Sequence, residues 1–121
     1  MELKKLNCKL TVCKVKELDA GLLNDEFCFV GKTDEELSLA CITNHAPDNC
    51  IEREDGFRAF RIGGVLDFSL IGIMAPITEI LAKNKIGIFA VSTFNTDYFL
   101  VKEENFDLAM RVLSDSGYNV G

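Results

Sequence analysis

A chain of 121 residues suits one compact domain or two small, closely packed lobes, neither of which alone would bury a generous core. With 48% apolar and 26% charged residues, its composition is that of a folded globular protein rather than a disordered one. Thirteen basic against nineteen acidic residues give a net charge of -6, which excludes nucleic acid and anionic membrane as partners on electrostatic grounds. The acidity is uneven: residues 1–56 hold seven basic and twelve acidic side chains, and residues 57–121 hold six and seven.

No apolar run reaches the roughly 18 residues that span a bilayer. The opening MELKKLNCKL lacks the apolar core of a signal peptide, so the expected location is the cytoplasm. Cys8, Cys13, Cys28, Cys41 and Cys50 are odd in number and never spaced as CxxC, which predicts neither a complete disulfide framework nor a zinc knuckle. Cys13, Cys28 and Cys41 fall in apolar runs, where a reduced thiol packs as a small hydrophobe. Cys8 and Cys50 lie near turns, with no basic cluster to lower a thiol pKa.

In chain order, Leu10 to Val15 alternates with the period of a strand, and Leu18 to Leu23 reads as a short helix. Phe27 to Val30 and Leu37 to Ile42 form a hairpin around Gly31-Lys32-Thr33-Asp34-Glu35. Residues 44–49 make a loop or single helical turn, Ile51 to Arg53 a short strand, and Glu54-Asp55-Gly56 a tight turn. Phe57 to Leu66 is a long strand in which Gly63-Gly64 suggests a bulge or close backbone approach.

Between residues 69 and 83, Leu70, Ile73, Met74, Ile77, Ile80 and Leu81 share one helical face. Burying six such side chains is worth roughly 9 to 18 kcal/mol gross. Ser69 would cap this helix. Pro76 requires either a start nearer Gly72 or a loosened first turn. Ile86 to Val91 and Tyr98 to Val101 then read as strands around the polar turn Thr93 to Asp97. Glu103 to Ser114 forms a second helix burying Phe106, Ala109, Met110 and Leu113, and Tyr118 to Val120 closes the chain as a strand. This order is the split βαβ, ferredoxin-like βαββαβ arrangement of the α+β class, and residues 8–55 fit a weaker copy of it.

Few residues promise chemistry. Gly31-Lys32-Thr33 lacks the earlier glycine of a phosphate loop, since Glu26 stands there, and acidic residues follow it. His45 with Cys41 or Cys50 is a conceivable nucleophilic pair, but no third, orienting residue can be picked out and a turn histidine is the plainer reading. Glu52, Glu54 and Asp55 read as a solvated acidic turn rather than a metal site. No metal, no cofactor and no enzymatic activity is therefore expected. The remaining constellation is Asp67-Phe68-Ser69-Leu70-Ile71-Gly72, with backbone N–H groups able to meet an anion, together with the polar turn Thr93-Phe94-Asn95-Thr96-Asp97.

The segments DFSLIGI (67–73), KIGIFAVSTF (85–94) and TDYFLV (96–101) resemble an ACT domain, in the branch of small tandem-ACT bacterial proteins, aspartate kinase regulatory regions and cytosolic arginine sensors. The resemblance covers residues 57–121, with 1–56, including EREDGFRAF (52–60), similar to the divergent leading lobe. It implies tandem ACT-like lobes of α+β, ferredoxin-like fold and a free amino acid bound at an interface between lobes. Ser69 to Gly72 would receive the ligand carboxylate, Thr93 and Phe94 would line the pocket, and Asp97 would pair with an ammonium or guanidinium, pointing to a basic amino acid. With no catalytic or transport domain in this chain, the expected signal passes through a homodimer or a regulated protein partner. The rival expectation is a ligand-free dimerisation or interaction module.

Overall fold

A computed structural model describes residues 1–67 and 71–121. Its strands are β1 (Glu2–Lys5), β2 (Leu10–Val15), β3 (Cys28–Lys32), β4 (Leu37–Ile42), β5 (Cys50–Ile62), β6 (Phe89–Ser92), β7 (Asp97–Lys102) and β8 (Asn119–Val120). Two α-helices, α1 (Met74–Lys83) and α2 (Glu103–Asp115), and two 3-10 turns, Ala20–Asn24 and Thr43–His45, complete the described elements. The chain divides into a C-terminal unit of residues 1–7 and 58–121 and an N-terminal unit of residues 8–57, so β5 contributes to both. The fold is ferredoxin-like α+β. Among the described residues no helix is long and apolar enough to cross a membrane.

In the C-terminal unit the strands lie in the order β6-β7-β5-β1-β8. A plain βαββαβ unit places its fourth strand beside its first. Here β1 stands between them, antiparallel to β5 with Leu3 opposite Ile62 and parallel to β8 with Leu3 opposite Val120. The sequence MELKK carries one strongly apolar side chain at strand spacing, too little to announce a strand, yet Leu3 is fully buried. The core joins Leu3, Phe60, Ile62, Phe99 and Val101 from the sheet to Ile77 and Leu81 of α1 and Phe106, Ala109, Met110 and Leu113 of α2. At its centre the rings of Phe60 and Phe99 stack with centroids 5.0 Å apart and an interplanar angle of 17°.

The first helix is shorter than its apolar pattern predicts. It begins at Met74, which leaves Pro76 in the first turn, where its missing N–H has no intrahelical partner to lose. Ile73, not Ser69, occupies the capping position, and no side chain caps the helix. Ile77 and Leu81 are buried and Ile73, Met74 and Ile80 pack against the core, while Leu70 lies outside the described residues. At its exit Lys85 takes φ 60° and the Ile86 N–H donates to the Leu81 carbonyl at 2.9 Å, turning the buried Ile86 back onto the core. That use of Ile86 delays β6 to Phe89. The second helix follows its predicted pattern, with Glu103 and Glu104 in the first turn complementing the helix dipole.

The N-terminal unit has the strand order β3-β4-β2-β5, all antiparallel. Its connections are the 3-10 turns, in place of the α-helices of the other unit. Its Cys13, Val15, Leu22 and Leu39 cluster is correspondingly small. The tight turn expected at Glu54-Asp55-Gly56 is instead a β-bulge inside β5, for Leu10 faces Phe57 while Val12 faces Glu54, giving β5 one extra residue. Gly56, at φ 84°, supplies the backbone conformation that such a bulge requires. Gly63-Gly64 lies just past β5, where the Gly63 N–H donates to the Glu2 carbonyl at 2.9 Å.

All five cysteines are free, Cys13 and Cys41 being buried and the others intermediate. Burial, then the neighbouring Cys50 and Cys41, pushes the Cys13 thiol up to about 12. Burial, then Cys28, pushes Cys41 up to about 11.

Two outcomes follow for stability. Leu3→Ala should cost about 2–5 kcal/mol by chemical denaturation, and a cost under about 1 kcal/mol would mean that β1 does not belong to the core. Unfolded thiols release protons near pH 9 while folded Cys13 keeps its proton to about 12, so stability should fall as pH rises between these values. Denaturation midpoints from pH 8 to 11 under reducing conditions should fall less steeply in Cys13→Ala, and equal slopes would contradict the assignment.

Candidate functional site

The C-terminal unit holds a cavity of about 190 Å³ where the β6–β7 hairpin turns beside the segment leaving β5. Apolar strands on either side leave Thr93-Phe94-Asn95-Thr96 to reverse the chain, and three internal hydrogen bonds shape that reversal. The N–H and the hydroxyl of Thr93 each donate to the Thr96 carbonyl at 2.9 Å, and the Thr96 N–H donates to the Thr93 Oγ1 at 3.3 Å. Two more bonds fasten the turn to the end of β5 and to the chain just beyond it. The buried Thr96 hydroxyl donates to the Ile62 carbonyl at 2.7 Å, and the Leu66 N–H donates to the Asn95 carbonyl at 2.7 Å. Ile73, just ahead of α1, supplies part of the apolar wall.

Asp67 and the five residues Thr93, Phe94, Asn95, Thr96 and Asp97 line this one cavity. Ile71 and Gly72 do not line it. Ile71 is 90% exposed, and Gly72 has φ 73° with open space where a Cβ would stand, so the requirement there is one of backbone conformation. Phe68, Ser69 and Leu70 lie outside the described residues. The structure adds Leu66, Ile73 and Ser92 to the lining. Ser92 was readable in principle, since it faces Asp97 across the hairpin.

Among the described residues the lining contains two carboxylates, Asp67 and Asp97, and no lysine, arginine or histidine. Hydroxyl and amide groups of Ser92, Thr93 and Asn95 stand with them. Such a set accepts hydrogen bonds from a cation. Phe94 of the lining is 77% exposed, as are Val65 (74%), which precedes Leu66 in the chain, and Ile71 (90%), two residues ahead of Ile73.

Residues considered for other chemistry have different partners. His45 Nδ1 lies 2.9 Å from Asp25 Oδ2, an orienting carboxylate that the sequence did not reveal. The Cys50 thiol donates to the Pro47 carbonyl at 3.0 Å, and the thiols of Cys28 and Cys41 are pushed up chiefly by burial, away from the thiolate form a nucleophile needs. Glu52 pairs with Lys14 at 3.0 Å, and Asp55 accepts from Arg53 at 3.0 Å and from the Thr11 hydroxyl at 2.6 Å. Among the described residues no group of three histidine, cysteine or acidic side chains is placed to hold a metal ion.

The ACT domain family model matches residues 52–115. A solved protein from Agobacterium tumefaciens is similar to this chain at 28% identity, with TM-score 0.89, covering 99% of this chain and 91% of its own. A protein of unknown function from Vibrio cholerae is similar at 17% identity, with TM-score 0.74 and coverage of 94% and 88%. Aspartate kinase from Synechocystis shares the fold at 14% identity and TM-score 0.68, with 99% of this chain corresponding to 27% of the kinase. No curated protein matches the chain. The matched family is one of regulatory domains, and its model spans more than half of the sequence. The chain belongs to the ACT domain family.

Proposed function

We propose that this protein is a non-catalytic regulatory sensor that binds a free basic amino acid in the cavity beside the Thr93–Thr96 turn. The observation that carries this reading is the presence of two carboxylates, Asp67 and Asp97, with polar turn residues in a cavity whose described lining holds no cationic side chain. An ammonium or guanidinium group is the complement of that lining, and charge-assisted bonds to a carboxylate are the strong ones. In this reading Asp97 takes the ligand's side-chain cation and Thr93 and Phe94 flank it, while the carboxylate reaches past the cavity lining toward the backbone N–H groups expected at Ser69 to Gly72. The protein works in the cytoplasm as a homodimer, with two tandem ACT-like lobes whose boundary near residues 56–58 is the one expected, except that residues 1–7 go with the second lobe. Ligand shifts its equilibrium between arrangements only by the difference in affinity for them, and a regulated protein partner reads that shift.

The exposure of Phe94 in the lining, and of Val65 and Ile71 close to lining residues in the chain, favours a second reading, a ligand-free dimerisation or interaction module. Thermal melts with each of the twenty amino acids separate the two. Ligand at 100 times its dissociation constant should add about 2.7 kcal/mol, with L-arginine or L-lysine giving the largest shift. Asp97→Asn keeps the side-chain shape and should abolish that shift while leaving the unliganded melt nearly unchanged. A melt that no amino acid moves, or a shift that survives Asp97→Asn, would contradict the reading.

A further inference from the structure

Within the N-terminal unit the strands bring cysteines together that are far apart in the chain. Cys41 of β4 stands directly opposite Cys28 of β3 on one side and Thr11 of β2 on the other. Directly opposed side chains share a face and successive ones alternate, so Cys13, two positions from Thr11, lies on that same face. The Cys13 thiol has the thiols of Cys50 and Cys41 as neighbours, and Cys41 has Cys28. Cys13 and Cys41 are buried, whereas Cys28 and Cys50, at the two ends of this row, are partly exposed.

Backbone bonds show which of these thiols can join. The Thr33 N–H donates to the Glu36 carbonyl at 2.9 Å and the Glu36 N–H donates to the Thr33 Oγ1 at 3.1 Å, which makes Thr33 and Glu36 a hydrogen-bonded pair at the turn. Hydrogen-bonded and non-hydrogen-bonded pairs alternate along an antiparallel ladder. Lys32 opposite Leu37 is therefore non-hydrogen-bonded, and following the register by twos through Val30 and Leu39 makes Cys28 and Cys41 non-hydrogen-bonded too. The other edge of β4 agrees. The Thr43 N–H donates to the Lys9 carbonyl at 3.0 Å, so Cys41, two positions away, turns its own N–H and carbonyl toward β2 and away from Cys28.

Non-hydrogen-bonded partners have Cα atoms about 4.5 Å apart, with their side chains at closest approach. A disulfide spans Cα separations of about 4.4 to 6.8 Å, so this pair can close without moving the backbone. The other neighbours cannot. Cys13 faces Leu39 and Cys50 faces Val15, which leaves Cys13 diagonal to both Cys41 and Cys50, at about 7 to 8 Å.

We propose that Cys28 and Cys41 form a reversible oxidation site that an uncharged low-molecular-weight disulfide closes into a cross-strand bridge. Cys28, the more accessible of the two, gives up its proton and attacks one sulfur of the reagent; the reagent's S–S bond breaks and one reagent thiol leaves with a proton. Cys41 then gives up its proton and attacks the Cys28 sulfur, the bond from Cys28 to the reagent breaks, and the second reagent thiol leaves. Two cysteine thiols are oxidised and one disulfide is reduced to two thiols, and excess thiol runs the same steps backwards. Burial, then the Asp25 carboxylate, holds the Cys28 thiol above its ordinary value, which slows the first step at neutral pH. The same carboxylate repels an anionic disulfide and leaves an uncharged one unaffected. Once closed, the bridge holds β3 to β4 in a unit whose buried cluster is small.

The full chain, treated with 2-hydroxyethyl disulfide at about pH 8.5, where thiols begin to ionise, tests this by mass and peptide mapping after the remaining thiols are blocked with N-ethylmaleimide. The expected product is one bridge within a chain, joining Cys28 to Cys41 and reopened by 2-mercaptoethanol. Its equilibrium constant against 2-mercaptoethanol should be about tenfold or more larger in the folded chain than in denaturant, because the fold holds the two thiols together. Cys28→Ser and Cys28→Ala should form no bridge while keeping the thermal midpoint of the reduced protein, and Cys50→Ala should form the same bridge as the unaltered chain. Absence of the bridge, a bridge to Cys13 or Cys50 or between two chains, a bridge in either Cys28 variant, or an equilibrium constant no larger in the folded chain than in denaturant would each overturn the proposal.

Discussion

The bond from the Thr96 hydroxyl to the Ile62 carbonyl, 2.7 Å long and buried, ties the turn of one hairpin to the end of the strand beside it. Just below it the stacked rings of Phe60 and Phe99 join the same two strands through their side chains. Together they fix where the polar turn lies relative to the chain that leaves β5. A neutral hydrogen bond contributes only about 0.5–1.5 kcal/mol net, but an Ile62 carbonyl left buried and unpaired would cost about 1–3 kcal/mol. Position, more than stability, is what this constraint supplies: it sets Asp97 at the head of β7 in the same cavity as Asp67. The site is thus a consequence of how a hairpin ends, with its acidic groups placed by strands on a packed core.

A turn closed by threonine occurs in both units. Threonine at positions 33 and 93 closes each turn through its own hydroxyl, so the residues between are free to vary. One turn is followed by Asp97 and the other by Leu37. A fold that encodes a turn through a single threonine can therefore change the residue that follows it without changing the hairpin. The N-terminal unit has 3-10 turns where the other unit has α-helices, and its Cys13, Val15, Leu22 and Leu39 cluster is smaller than the core of the other unit.

Much of this was legible in the sequence where one physical signal dominated. Phe106, Ala109, Met110 and Leu113 stand at helical spacing behind Glu103 and Glu104, and α2 forms where they predict. The polar turn between apolar strands was equally clear, as was the hairpin around Thr33. The errors arose where signals competed. Apolar spacing continues ahead of Pro76 and hides the later start of α1, and Asp55-Gly56 serves a bulge as readily as a turn. Strand β1 has too few apolar side chains to be seen, because its place is decided by partners at Ile62 and Val120, far along the chain. Leu66 and Ile73 read as strand and helix residues, and only tertiary structure brings them to the cavity of Asp97.

The central claim is that the Asp67 and Asp97 cavity receives a cationic amino acid. Titration of the ¹⁵N-labelled full chain with L-arginine, followed by amide chemical shifts, addresses it most directly. The account predicts saturable changes concentrated at residues 66–67 and 92–97 with the amides of 33–37 undisturbed. Saturable binding that leaves residues 92–97 unchanged, or no saturable change at any amide, would contradict it.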